Sequence, residues 1–301
     1  LTWTSDPYTM AAQCSALFST VWACLKFQHV ATVVAGLVGW MILKRTLLKT
    51  KKDVPLVKNP VHNKIYLYQF HTIGGLNGSP FCMKAETYLQ MLGLEYEVIG
   101  DFRNLSKFSR SKFPVVQYNQ QIIQDSTNII TFLEKTLGKQ TDADLSAKDK
   151  ATSTLLISTV EDSLAPILVY FRWVHNEGWP GWAKATFAAV PAFLKWFIIP
   201  KARKNVQKSL WISGTARYTP EELLASAKDI LDALSLQLGK NKFMLGDKFH
   251  IVDASVYGVL ANIILFPLDH PLQRLAHKYD NLVSYCKHIR DLREERKFVP
   301  K

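Results

Sequence analysis

Cysteine is scarce in this chain. Its 301 residues hold four, Cys14, Cys24, Cys82 and Cys286, all far apart. With no CxxC pair and no metal-ligand spacing, a disulfide framework, a zinc site or other metal centre, and dithiol redox chemistry are all excluded from the expectation. Free thiols agree with a reducing compartment. Acidic residues are few as well: 25 Asp and Glu stand against 37 Lys and Arg, a formal net charge of +12. That balance points to an anionic partner, either a membrane surface or a nucleic acid. Residues 178–220 contain no acidic residue and seven Lys or Arg. Internal repeats and low-complexity tracts are missing, which leaves out solenoids and repeat arrays. What is present is length for two modest domains and 48% hydrophobic residues, enough for a sizeable core.

The N-terminal region is the most apolar. Residues 17–43 contain one charge, Lys26, and residues 30–43 contain none. A bilayer span needs roughly 20 apolar residues. This run reaches that length by including Phe27, Gln28 and His29 or by extending back past Lys26. A signal peptide is the rival reading, but no small-x-small cleavage site follows the run. Lys44, Arg45, Lys49, Lys51 and Lys52 follow instead, and such a cluster keeps the bulk of a chain on the cytosolic side. A buried helix is the third reading, and the lack of a polar face counts against it. Residues 1–60 are therefore expected to form a single-pass N-terminal membrane anchor and basic linker, with the folded domains in the cytosol. Met10 is a candidate initiator.

Residues 64–70 read as a buried strand, followed by a glycine-rich loop over residues 71–78. Ser79 is a good N-cap, and Pro80 suits the first helical position of a helix ending at Gly93. Residues 96–99 form a second strand. Residues 113–118 form a third, entered through Pro114, and residues 121–124 return as a fourth. Asp125 and Ser126 cap a last helix that stops at Gly138. The order βαβ, β-hairpin, α is the thioredoxin-like order.

Three short motifs stand in sequence within this segment: Ser79-Pro-Phe-Cys82, Phe113-Pro114-Val-Val, and Asp125-Ser126. Together they resemble the thiol site, the cis-proline turn and the acidic-Ser pair of the glutathione transferase superfamily. The longer pattern SPFCMKAETYL, with the later Gln-Asp-Ser, is most similar to the failed axon connections and metaxin branch. A more distant likeness is to the membrane-associated prostaglandin E synthase type. The resemblance implies a thioredoxin-like domain over residues 61–140, an all-helical domain over residues 141–301, and glutathione as co-substrate. It implies that backbone at Phe113, freed by a cis Pro114, pairs with the cysteinyl part of glutathione. Ser126 at a helix N-terminus would hold a carboxylate, and Asp125 or Gln124 the γ-glutamyl ammonium. Ser79 matches the position that stabilises the thiolate; a hydroxyl donating to a thiolate lowers the thiol pKa. Cys82, in the first turn of the same helix, has two readings: a thiolate favoured by the helix N-terminus, or an inert thiol packed beneath the helix. Ser79 likewise has a second reading, as a helix cap alone. The loop over residues 71–78 is longer than in typical transferases, which bears on where the hydroxyl sits.

In the C-terminal half, Ser146-Ala-Lys-Asp149 opens a long helix with an expected kink at Pro166. Thr219-Pro-Glu-Glu222 is a sharp helix start. His250-Ile-Val-Asp253 resembles the family's helix-start motif, with His where a hydroxyl is usual; a weaker cap, missing its reciprocal bond, is expected, and a structural role for His250. In residues 178–220, Trp179, Trp182, Trp196 and Trp211 accompany the basic residues. Two readings stay open there: a core and substrate wall with solvated lysines, or a surface that docks on an anionic membrane. No nucleic-acid-binding motif accompanies the stretch, so nucleic acid is not an expected partner. The resemblance also implies a homodimer.

Two functions follow. The first is a membrane-anchored transferase or thiol peroxidase that presents glutathione thiolate to an apolar electrophile. The second is a non-catalytic, membrane-associated interaction protein that keeps the fold, since relatives in this branch are known for membrane-associated and neuronal roles.

Overall fold

The computed structural model describes residues 53 and 55–295, together with Leu17. Apart from Leu17, the expected membrane segment lies outside the described residues. Strand β1, Ile65–Tyr68, is a run of four β-prone side chains, all buried. The loop after it folds as a small hairpin of β2, Thr72–Ile73, and β3, Leu76–Asn77. Gly74 and Gly75 turn it at φ of 59° and 83°, the conformation a two-residue hairpin turn needs and glycine tolerates. Helix α1, Pro80–Met91, starts on the Ser79 cap. Strand β4, Tyr96–Ile99, pairs parallel with β1. Strand β5, Val115–Tyr118, pairs antiparallel with β1, and β6, Gln121–Gln124, antiparallel with β5. The sheet order is β4-β1-β5-β6. Helix α2, Ser126–Leu137, closes the thioredoxin-like part and ends on left-handed Gly138.

The rest is helical. Helix α3, Ala147–Ser158, runs through a π-helical turn, Thr159–Leu164, into α4, Ala165–Trp173. The π turn stands where a kink at Pro166 is expected. Proline has no N–H for the residue four back and its ring crowds that carbonyl; widening the preceding turn relieves the clash. By length and composition the run Ala147–Trp173 is apolar enough to cross a bilayer. Its Val160, Leu164, Leu168 and Phe171 are instead fully buried in the helical core. Helices α5, Gly178–Thr186, and α6, Ala192–Ile212, follow. Then come α7, Pro220–Leu238, and α8, Ile251–Ile264. Helices α9, Pro271–Ala276, and α10, Asp280–Glu295, complete the described residues.

Helix starts follow their sequence signals. Glu222 N–H donates to Thr219 Oγ1 (3.2 Å) and Thr219 N–H to Glu222 Oε2 (2.8 Å), a full capping box. At α8 one half of the box survives: His250 N–H donates to Asp253 Oδ2 at 2.9 Å. The imidazole makes no cap bond to the helix; its Nδ1 is buried without a partner and its Nε2 faces Asp144 at 3.2 Å. Asp253 gains more than a cap usually does, accepting also from Met244 N–H (2.8 Å) and Tyr285 Oη (3.0 Å).

Burial pushes the Asp253 carboxyl up to about 6, against about 3.9 in an unfolded chain. Folding therefore takes up a proton there, and the stability this adds below pH 4 is lost as pH rises through 6. His270, which caps α9 by accepting from Gln273 N–H, is opposite in sign. Burial, with Arg172 nearby, pushes it down to about 4, so stability is lost as pH falls from the unfolded value, about 6.5, through 4. The two groups oppose each other across nearly one window. His270→Asn, which keeps a cap acceptor, removes one of them. Its stability relative to the unsubstituted chain should rise by roughly 3 kcal/mol between pH 6.5 and pH 4. Urea midpoints measured across that range check this, and a parallel pH dependence in the two proteins counts against it.

Candidate functional site

The pairing of β1 with β5 puts Tyr68 opposite Val115, and that of β5 with β6 puts Val115 opposite Gln124. The chain leaving β1, the chain entering β5 and the chain leaving β6 therefore meet at one end of the sheet. Phe113, Pro114, Gln124, Asp125 and Ser126 all stand there. The Phe113–Pro114 bond is cis. Asp125 N–H donates to the Pro114 carbonyl at 3.4 Å, tying the end of β6 to the proline turn.

Ser79 is held at the same end by Asn77, a fully buried side chain. Asn77 Nδ2 donates to the Phe70 carbonyl (2.8 Å), and Asn77 Oδ1 accepts from Ser79 N–H (3.0 Å). The Phe70 ring in turn packs edge-on against Phe113, centroids 5.1 Å apart. The long loop thus returns, through its hairpin, to the sheet end it left. Ser79 Oγ accepts from Cys82 N–H at 3.4 Å. Acting as a cap uses one acceptor position of the hydroxyl and leaves its proton to donate.

Cys82 takes the inert reading. It is fully buried, and burial pushes its thiol up to about 12, so at neutral pH it is neither an exposed nucleophile nor a thiolate. Gln124 is also committed elsewhere: its Nε2 donates to Asp53 Oδ2 and Ser109 Oγ (both 2.8 Å), and its Oε1 accepts from Arg110 N–H. It secures the loop before β5. The Phe113 ring packs with Phe108 and Phe70.

Asp125 caps α2, accepting from Thr127 and Asn128 N–H through Oδ1 (3.0 and 3.3 Å), while Oδ2 lies 3.9 Å from Arg110. Its φ is +84°, a region non-glycine residues seldom occupy and one that marks backbone held for a purpose. Next to it, Ser126 is 2% exposed in the first turn of α2, where the helix dipole favours an anion, while Asp125 already takes the Thr127 and Asn128 N–H groups.

One residue of this site is not evident from the sequence. Lys84 is 2% exposed, donates to Thr127 Oγ1 at 2.9 Å and pairs with Glu161 at 2.7 Å. It fixes the start of α2 against α1 and against the π turn of the helical part. A lone lysine among the buried residues of α1 is the only signal that could have marked it.

A thioredoxin-like sheet with a cis-proline turn at one end and a helical domain packed on its first helix is the architecture of glutathione transferases. Family models agree: the glutathione S-transferase N-terminal domain matches residues 80–178, and the glutathione S-transferase C-terminal domain residues 227–289. Failed axon connections of Drosophila melanogaster is 29% identical over 240 residues, 75% of this chain and 57% of that protein. The isoprene-epoxide–glutathione S-transferase of Rhodococcus sp. (strain AD45) is 29% identical over 70% of this chain and 91% of its own. Metaxin-1 of Sus scrofa is 30% identical over 68% of this chain and 67% of its own. A glutathione transferase from Phanerochaete chrysosporium shares the fold, with TM-score 0.53 at 12% identity, covering 80% of this chain and all of the other. This chain belongs to the glutathione S-transferase superfamily, in the branch of failed axon connections and the metaxins. It spans little more than half the length of the fly protein.

Proposed function

We propose that the chain binds glutathione at the sheet end and presents its thiolate to an apolar electrophile. The observation that carries this reading is the buried Ser126 beside Asp125 at positive φ, joined by a backbone bond to the cis-proline turn. The N-terminus of α2 with Ser126 takes the γ-glutamyl carboxylate, and Asp125 takes its ammonium. The backbone of Phe113 pairs with the cysteinyl unit as an added strand does. The glutathione thiol gives up its proton to solvent, and the Ser79 hydroxyl donates a hydrogen bond to the resulting thiolate, which favours it. The sulfur then forms a bond to the electrophilic carbon, whose leaving atom departs with the electron pair. The glutathione-dependent relative from Rhodococcus supports the choice of co-substrate. We place the chain on a membrane through residues 17–43, with the folded part on the side of the basic cluster, from the apolar run and the lysines that follow it.

Calorimetric titration of the full chain with glutathione tests the site. Saturable binding is expected at millimolar ligand or below. Ser126→Ala should weaken it about tenfold, the loss of a hydrogen bond to a charged group. Ser79→Ala should leave affinity nearly unchanged but raise the pKa of bound glutathione, followed by thiolate absorbance, and cost about 1 kcal/mol of stability as a lost cap. Absence of heat from the unsubstituted chain at millimolar glutathione would falsify the proposal.

A further inference from the structure

The aromatic residues of the acid-free stretch divide into two groups. Trp179, Trp182 and Phe187 pack around Trp173, with ring centroids 5.6 to 6.2 Å apart. Those of α6 do the reverse. Of its 21 residues only Leu210 is buried. At about 100° per residue, Ile199, Val206 and Leu210 share the inward face. Arg203 beside them grips the end of α4, donating to the Trp173 and Val174 carbonyls (3.0 and 3.1 Å) and stacking on Trp179 at 4.4 Å. The helix is therefore firmly seated by one side.

Phe193 and Phe197 on its other side are 75% and 71% exposed, and Trp196 on the flank that leads to them is 80% exposed. Exposed Lys201, Lys204 and Lys208 continue the same face. Trp211 and Ile212 end it, at 58% and 67% exposed. Large apolar side chains gathered in the open mark an interaction surface. None of the seven cations of residues 178–220 is ion-paired among the described residues.

We infer that the outer face of α6 docks flat on an anionic lipid bilayer. Phe193, Trp196 and Phe197 enter the boundary between headgroups and acyl chains, and the three lysines meet lipid phosphates and carboxylates. Charge selects this occupant. A second copy packed on the same face would set Lys201, Lys204 and Lys208 against their own kind, with no acid in residues 178–220 to offset them. A bilayer supplies both an apolar layer for the aromatics and a plane of negative charge at the depth of the lysines. This surface is independent of the glutathione site.

The test uses the full chain mixed with preformed vesicles of phosphatidylcholine alone or with phosphatidylserine, part of the lipid being brominated in its acyl chains. Tryptophan quenching is read for the unsubstituted chain and for Trp196→Phe, and the difference isolates Trp196. Trp196 is expected to be quenched strongly only with phosphatidylserine present. A combined Lys201→Glu, Lys204→Glu, Lys208→Glu variant should lose that quenching, since each cation contributes roughly fivefold to binding at an anionic surface. Binding to both vesicle types through the N-terminal segment would leave this contrast intact, because the signal belongs to Trp196. Trp196 that stays open to aqueous acrylamide on anionic vesicles overturns the inference. So does protection of Trp196 that follows protein concentration and needs no lipid, which would assign the face to a second copy.

Discussion

Arg293→Met is expected to destabilise the chain by about 3–5 kcal/mol, the cost of leaving a buried charge without its partner. Arg293 lies on α10 and is 7% exposed. Its guanidinium reaches three residues of α1: Nε donates to Gln90 Oε1, Nη1 to Met83 Sδ, and Nη2 to Glu86 Oε2 at 3.3 Å. Nη1 also donates to Tyr257 Oη of α8 at 3.3 Å. Glu86 is buried too, and its other oxygen accepts from Tyr96 Oη of β4 at 3.1 Å. One side chain near the end of the described chain thus joins α1 to α8 directly and, through Glu86, to β4. Methionine fills much of the volume but leaves the Glu86 carboxylate buried against apolar carbon. Removing that charge as well should recover most of the loss, so Arg293→Met, Glu86→Gln should be clearly more stable than Arg293→Met alone. Urea midpoints of the three variants against the unsubstituted chain settle it. A loss below about 1 kcal/mol for the single substitution would match an exposed pair and would mean that this network is solvated.

The network also shows where sequence reasoning stops. Features governed by neighbours in the chain are legible. Ser79 with Pro80, Thr219 with Glu222, and Gly138 at a helix end each signal a boundary, because capping is a transaction within four residues. The sheet elements are legible from short apolar runs, and the proline turn and Asp125-Ser126 through their resemblance to a known site. The hairpin in the loop after β1 was within reach, since Gly74-Gly75 is a turn signal, yet its strands of two residues each leave no alternation to read. Cys82 shows a different limit. Its place in the first helical turn favours a thiolate by dipole alone, whereas its burial, which no local pattern reveals, raises the thiol pKa. Gln124 is similar: its amide could have faced a ligand, and its partners, Asp53 ahead of β1 and Ser109 and Arg110 in the loop before β5, come from two segments whose paths no local pattern encodes. Arg293 to Glu86, Lys84 to Glu161 and Arg172 to the Gly78 carbonyl join residues 207, 77 and 94 positions apart. No periodicity carries such pairings. For the aromatic stretch of residues 178–220, composition allowed a core wall or an exposed surface. The structure divides it, with Trp179 and Trp182 packed and Trp196 outward.

Gly258→Ala should also be costly, although helix propensity points the other way. In an open helix the change stabilises by about 1 kcal/mol. Gly258 lies in α8 where that helix crosses the start of α1. A β-carbon built there would stand 2.6 Å from the Pro80 carbonyl oxygen, 3.2 Å from Lys84 N and 3.4 Å from Lys84 Cβ. Two of the three contacts are backbone of a capped helix, which cannot rotate away as a side-chain tip can. The helices must separate, and close-packed interiors lose about 1–3 kcal/mol to such overpacking, occasionally more. The expected net loss is about 2 kcal/mol or above. A control sits one turn away on the same helix. Ser255 is 1% exposed and its hydroxyl has no partner, so Ser255→Ala removes a buried unsatisfied group and should be neutral or stabilising. The pair separates a general intolerance of α8 from a steric demand at one position. The displacement also has a direction. Pro80 follows Ser79, and Lys84 holds Thr127 beside Ser126, so pushing α1 away from α8 disturbs Ser79 and Ser126, the two ends of the proposed site, together. Glutathione affinity should therefore fall in Gly258→Ala and hold in Ser255→Ala, measured where both remain folded. A Gly258→Ala protein as stable as the unsubstituted chain would show that the two helices do not meet this closely.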